Sequence, residues 1–244
     1  MLIFAAQLHQ PPHAGCPRGD PGQVVPCNFM KRVTIIGAGG HGREVADILR
    51  HQAQQSTDLA IVGFIDEDPS RRHQVINGLP VLGDWSWFEG VDRSEIAVVC
   101  AVGLPQTRKR LAEYAKTIGL SFISAISPLA NLSPYAKTAE GVMMFPHSFA
   151  GPDSFVGDHG IVNVGATISH DTKIGSYGTL NPGVHLAGNV IIGEGCYLGV
   201  GSSIIHGISI GSWTTVGAGA VVVRDLPDHV TAVGVPAKVI TTKE

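Results

Sequence analysis

The chain has 244 residues, 44% of them apolar, and a formal net charge of −3. That length admits two modest domains, and that apolar content excludes a wholly disordered chain. The small negative charge gives no electrostatic case for nucleic acid or an anionic membrane surface, and no apolar run approaches the length of a membrane span.

Residues 1–29 read as a disordered extension. Leu2–Ala6 is too short for a signal-peptide core and no basic residue precedes it. Pro11, Pro12, Pro17, Pro21 and Pro26 then interrupt any regular element. Ala14-Gly15-Cys16 resembles a lipoprotein cleavage site, but His13 stands where an aliphatic residue is needed. Met30 lies two residues before the first predicted strand and is a candidate start.

Residues 30–124 predict an α/β domain. Arg32–Ile36 is a β-branched strand, followed by Gly37-Ala38-Gly39-Gly40-His41-Gly42 and a helix carrying Val45, Ala46, Ile48 and Leu49. Strand, glycine-rich turn and helix make a Rossmann-like, phosphate-cradling unit, because glycines let backbone N–H groups approach an anion at a helix N-terminus. A second strand, Ala60–Ile65, ends in Asp66-Glu67-Asp68, where acids can hold a ribose or base. A third, Ile96–Val102, ends at Gly103, and a helix follows from about Gln106 to Ile118. The domain holds one mononucleotide-binding half, so a nucleotide-sugar site explains the glycines better than a dinucleotide oxidoreductase does.

From residue 125 to 226 a six-residue phrase repeats without a slip. Its anchors run Ile126, Leu132, Thr138, Met144, Ala150, Val156, Val162, Ile168, Ile174, Leu180, Leu186, Ile192, Leu198, Ile204, Ile210, Val216 and Val222, and only Thr138 is polar. A mostly small residue follows four positions later. Each hexad is one short strand and one turn, and three hexads close a triangular coil of about 18 residues that must stack to bury its anchors. Period six lines no helix face, and right-handed solenoids have longer, less regular coils. The expectation is an all-β left-handed parallel β-helix, with residues 227–244 as a C-terminal tail. Cys16, Cys27, Cys100 and Cys196 show no metal spacing. Cys100 and Cys196 fall in apolar β contexts as buried thiols, which suits a reducing, cytoplasmic setting.

Residues one coil apart share a column, which places His170, Gly188 and His206 together. A general base beside a backbone N–H is what acyl transfer from a thioester requires, the first to take a proton and the second to stabilise the oxyanion. Asp171 is placed to orient the imidazole and stabilise its charged form.

From about Lys31 to Ile240 the sequence resembles the bacterial nucleotide-sugar acetyltransferases, the group of sialic-acid O-acetyltransferases and 4-aminosugar N-acetyltransferases that includes perosamine N-acetyltransferase. The residues that carry this are the glycine turn at 37–42, Gly63-Phe64-Ile65-Asp66, Ala101-Val102-Gly103, Ser169-His170-Asp171, Ala187-Gly188-Asn189-Val190, Val216-Gly217-Ala218-Gly219-Ala220 and Gly234-Val235-Pro236-Ala237-Lys238. The resemblance implies an acyltransferase with His170 as general base, Asp171 as its carboxylate partner and Gly188 as oxyanion donor. It implies that Gly39, Gly40, His41, Asp66, Glu67 and Gly103 hold a nucleotide-linked amino sugar. It also implies acetyl-CoA in a groove between subunits of a homotrimer, near Thr179, Val200, Ala218 and Lys238, with no metal. A relative carries His at the position of Thr179, so that contact differs here. Three alternatives stand beside the 4-amino N-acetyltransferase: a sugar or sialic-acid O-acetyltransferase, a metal hydratase of the γ-carbonic-anhydrase type, and a non-catalytic scaffold. The hydratase needs a histidine pair five apart, and no pair here has that spacing.

Overall fold

A computed structural model describes residues 31–55 and 58–242; the expectation for residues 1–29 lies outside them. The front domain runs β1 (Lys31–Ile36), α1 (Gly40–Gln55), β2 (Leu59–Ile65), β3 (Val75–Ile76), β4 (Leu79–Gly83), β5 (Ile96–Cys100), α2 (Pro105–Thr117) and β6 (Ser121–Phe122). These strands form one sheet in the order β3-β4-β2-β1-β5-β6, parallel except for the β3–β4 hairpin. The central strands are apolar on both faces, as parallel strands covered by helices must be, and β5 is buried along its whole length. Strand order reverses at β1, with β2 on one side and β5 on the other. The loops after β1 and β5 therefore part there and open a crevice at their carboxyl ends.

From β7 (Ala125–Ile126) to β23 (Val221–Val222) the chain makes two-residue strands only. Each strand up to Ser203–Ile204 pairs in parallel with the strand 18 residues on, as in Met144↔Val162 and Ile168↔Leu186. Three flat faces result. The first begins at β7, the second at β8 (Asn131–Leu132) and the third at β9 (Lys137–Thr138). This is the triangular cross-section expected of a left-handed β-helix.

The anchors fill the prism. Met144, Val156, Ile168, Leu180, Leu198 and Val216, drawn from all three faces, are buried in one apolar core, each contributing about 1.5–3 kcal/mol by leaving water. Thr138, the polar anchor, lies in the first coil and is only half buried. At the corners Ser148, Ser154, Thr172 and Thr214 are buried, and each hydroxyl donates to a nearby carbonyl, so none is left unpaired. Val142, Val184, Val190 and Ile208 take the same corner place where a small residue was expected. Cys100 and Cys196 are buried and form no disulfide, each thiol directed at a backbone carbonyl.

From Gly141 to Gly219 each turn carries one left-handed residue. It is glycine at several corners but His147, Asp153, His159, Asp171, Tyr177, Asn189 and Trp213 at others. Asp and Asn tolerate this conformation, whereas a bulky side chain costs roughly 1–2 kcal/mol there. Of the domain's histidines, His147 and His159 occupy such left-handed positions, whereas His170, His185 and His206 do not. After the last coil, β24 (Val230–Val233) extends the first face in parallel and β25 (Lys238–Thr242) returns antiparallel to it.

The two domains share a core. Val45, Ala46, Ile48 and Leu49 of α1 pack in one cluster with Ala125, Met143 and Ile161 of the first face. The other helix, α2, lies along the corner between the third and first faces, where Lys109 pairs with Glu194 (2.6 Å) and Lys116 with Glu140 (2.5 Å).

Candidate active site

His170 stands at the corner between the second and third faces. The next residue, Asp171, is in the left-handed conformation (φ 59°), which turns its carboxylate back to the ring. Asp171 Oδ2 lies 2.8 Å from His170 Nδ1, and both side chains are about half exposed. An ionised carboxylate there keeps the proton on Nδ1 and leaves Nε2 as a bare acceptor. The coil above presents Gly188. A methyl group at that position would stand 2.4 Å from His170 Cε1 and 2.5 Å from Nε2, so the imidazole lies flat against the glycine backbone. The stacking is enforced by the ladder, in which Asn189 N–H donates to the His170 carbonyl and Gly207 N–H to that of Gly188. The Gly188 N–H has no backbone partner among the described residues. His206 completes the column, its ring centroid 6.3 Å from that of His170.

The glycine turn is built differently. A methyl on Gly42 would come within 2.0 Å of the Gly37 carbonyl oxygen, so α1 seats on the end of β1 only with glycine there. Asp66 Oδ2 accepts from the Ala38 N–H (2.8 Å) and from Arg71 Nη1 (3.1 Å). Its carboxylate thus locks the turn as well as bordering the crevice. Glu67 accepts from Trp85 Nε1 (2.9 Å) and Arg110 Nη2 (3.0 Å), and the Arg110 hydrogen bond holds its carboxyl below the usual range. Both acids, with Gly37, Trp85, Val102 and Leu111, line a small recess of about 100 Å³ at the crevice.

Beside it lies a cleft of about 250 Å³ walled by both domains. His41, Val102, Gly103 and Leu104 come from the front domain and Ile161, Asn163, Thr179, Asn181 and Tyr197 from the first face. Gly40 begins α1 and is exposed, while Gly39 precedes it in the turn. His41 stacks on Phe145 (5.1 Å, 27°), and its Nε2 is buried without a partner. Burial, helped by the Arg108 charge, lowers its pKa to about 4, so the ring is neutral at pH 7. Thr179 is buried, and its hydroxyl accepts from Arg108 (2.8 Å) and faces the Gly103 carbonyl (3.3 Å).

The sequence-derived residues thus fall into three groups. Gly39, Gly40, His41, Asp66, Glu67 and Gly103 gather at the crevice, and Thr179 joins them. His170, Asp171 and Gly188 form a tight cluster at the opposite corner of the prism. Val200 and Ala218 are exposed on the corner between the first and second faces, and Lys238 is exposed on β25. Phe145, Trp85, Arg108, Arg110, Asn163, Asn181 and Tyr197 escaped sequence reasoning. Asn163 and Asn181 were findable, because they are one coil apart as His170 and Gly188 are. The others carry no local motif. Among the described residues no cluster of three or more His, Cys, Asp or Glu side chains could hold a metal ion, and no helix is long and apolar enough to cross a membrane.

Two family models match: the PglD N-terminal domain over residues 32–115 and the bacterial transferase hexapeptide (six repeats) over residues 189–224. The perosamine N-acetyltransferase of Caulobacter crescentus, solved with CoA and GDP-perosamine, is 38% identical and superimposes with a TM-score of 0.79 over 86% of this chain and 97% of its own. The chain belongs to the left-handed β-helix family of sugar acetyltransferases. The acetyltransferase domain of PglB from Neisseria gonorrhoeae, solved with acetyl coenzyme A, is 31% identical (TM-score 0.79, 86% and 99% covered). WeeI from Acinetobacter baumannii shares the fold at 24% identity (TM-score 0.70, 85% and 99% covered). An uncharacterized protein of Acanthamoeba polyphaga mimivirus is 32% identical over 53% of this chain, and the matched part is about a quarter (24%) of that protein's length.

Buried His41 and His159 should make the fold acid-sensitive. His159 is fully buried between Phe122 and Tyr177, both ring nitrogens lack partners, and burial lowers its pKa to about 4. An unfolded histidine titrates near 6.5. Between about pH 6.5 and 4 the unfolded chain therefore binds more protons, so stability drops as the pH is lowered through that window. Each ring contributes up to about 3 kcal/mol of loss. Thermal midpoints measured from pH 8 to pH 4 should fall on this limb, and His159→Phe should flatten it. An unchanged slope in that variant would show that His159 is not involved.

Proposed function

We propose that this chain is an acetyl-CoA-dependent N-acetyltransferase acting on the 4-amino group of a nucleotide-linked 4-amino-4,6-dideoxyhexose such as GDP-perosamine. The observation that carries the reading is the 38% identity over 86% of the chain to an enzyme solved with CoA and GDP-perosamine, in a protein whose His170 is paired with a carboxylate and packed on a glycine backbone.

The neutral C4 amine attacks the thioester carbon of acetyl-CoA. Negative charge gathers on the former carbonyl oxygen, which the Gly188 N–H stabilises. His170 Nε2 takes the proton from the attacking nitrogen, and Asp171 stabilises the imidazolium. The C–S bond then breaks, the thiolate receives that proton, and amide and CoA-SH leave. Val200, Ala218 and Lys238 are open to a CoA chain, and Lys238 meets a phosphate as a mobile point charge. Holding both substrates in one groove supplies a large share of the rate.

The reading includes a homotrimer with the site between copies. The nucleotide crevice lies over the first face and His170 at the corner opposite, so one copy cannot present an acceptor held in the crevice to its own His170. The uncovered sides of the prism carry exposed Leu129, Phe149, Phe155, Val164, Ile191 and Ile205, apolar surface that a second copy would cover.

The test is an acceptor panel of GDP-perosamine, a UDP-4-aminosugar and a sialic acid with acetyl-CoA, read by thiol release and product mass, with light scattering for assembly. Acetylation of an aminosugar nucleotide by a trimer is expected. Transfer to the sialic acid alone would make the protein an O-acetyltransferase, and a fully active monomer would remove the shared site.

A further inference from the structure

We propose that Arg108 is the positioning residue for nucleotide-sugar binding: one buried guanidinium fixes the Gly103 loop to the β-helix and so sets the shape of the cleft. The proposal rests on the acetyltransferase reading for what the cleft holds, but its structural core does not.

Arg108 projects from α2 into the junction of the two domains and is fully buried. A guanidinium has five N–H donors, and its three nitrogens here make five hydrogen bonds. On its own domain Nη1 donates to the carbonyls of Val102 (2.7 Å) and Gly103 (2.9 Å). Across the junction Nε donates to His159 O (2.9 Å), and Nη2 to Tyr177 O (2.6 Å) and Thr179 Oγ1 (2.8 Å). His159 and Tyr177 are one coil apart, so the fork grips two successive rungs.

No carboxylate takes part in this set. Burial lowers the pKa to about 10, which still leaves the group charged at pH 7. A buried cation held by dipoles alone is costly, and a well-packed apolar side chain would fill the junction more cheaply. What an apolar residue cannot do is tether carbonyls. Val102, Gly103 and Thr179 all line the 250 Å³ cleft, and they belong to its two opposing walls. Besides the guanidinium, the loop is held by the Ala101 N–H on the Ile36 carbonyl (2.8 Å) and by the longer Thr179 Oγ1 contact to the Gly103 carbonyl (3.3 Å). Lysine, a point charge on a flexible stem, cannot reproduce a planar fork with five fixed directions.

The experiment compares wild type, Arg108→Lys, Thr179→Val and His159→Phe. The last changes a ring packed on Phe122 and Tyr177 at the junction and keeps the main-chain carbonyl that Arg108 holds. Arg108→Lys should raise KM for the nucleotide sugar about 10–100-fold and leave kcat and the KM for acetyl-CoA within about threefold. Amide exchange of residues 101–105 should quicken in the same variant. Thr179→Val should move the same KM by a smaller factor, and it decides the matter if Arg108→Lys does not fold. His159→Phe should leave that KM unchanged. A lower melting temperature in Arg108→Lys with an unchanged nucleotide-sugar KM would reduce Arg108 to a structural staple. Equal effects of Arg108→Lys and His159→Phe would do the same. If wild type acetylates no aminosugar nucleotide, the functional reading fails, and unaltered exchange at residues 101–105 in Arg108→Lys would separately overturn the tether.

Discussion

Replacing His170 with asparagine should lower kcat about 10²–10⁴-fold while leaving both KM values within a few-fold of wild type. Asparagine keeps a polar group of similar reach on the corner but cannot accept a proton at neutral pH. The side chain is half exposed and packs on glycine, so the fold loses little. Asp171→Asn should cost less. It removes the charge that stabilises the imidazolium and frees the ring to adopt the wrong tautomer, yet it leaves Nε2 in place. Steady-state kinetics with saturating acetyl-CoA, together with nucleotide-sugar binding by calorimetry, separate the two effects. Turnover near the wild-type rate in His170→Asn would take His170 out of the mechanism.

Gly188→Ala should be nearly as damaging, by at least about 10²-fold in kcat, through displacement alone. The added methyl would overlap the imidazole at 2.4–2.5 Å. Something must yield, and the coil is the stiffer party, because Asn189 and Gly207 hold it in the ladder on both sides. The half-exposed ring swings away instead, which destroys the alignment of Nε2 with the acceptor. Stability should fall by only about 1 kcal/mol, since the clash is relieved at the surface. The measurement is kcat beside thermal unfolding. An alanine variant that is both stable and active within about threefold would show that the ring does not need the glycine backbone beneath it.

Much of this arrangement was legible in the chain. A slip-free hexad repeat names its own register, because a strand of two residues and a corner of four admit no other stacking with the anchors inside. The expected pairing of Ile168 with Leu186 is observed, and so are the column of His170, Gly188 and His206 and the glycine turn between β1 and α1. The left-handed turn residues were less visible. Asp171 reads as a neighbour of His170, but only its φ of 59° brings the carboxylate onto Nδ1.

Asp66 and Glu67 read as ligand acids. The structure gives both a second task, one locking the Ala38 amide and the other held by Trp85 and Arg110. Partners so distant in sequence have no spacing rule to reveal them. Thr179 reads as a cofactor contact by analogy, whereas its hydroxyl lies under the front domain, engaged with Arg108 and Gly103.

The rungs, their inward residues and the corner on which His170 stands were all written in the chain, since they follow from a local period and from stacking equal units. How the front domain sits on the solenoid could be seen only in the folded molecule. That choice depends on Arg108, His41 and His159, side chains far apart in the chain whose burial and hydrogen-bond partners exist only once two separate elements meet. It is also what puts the crevice lined by Gly37 and Asp66 and the His170 corner on opposite sides of one prism.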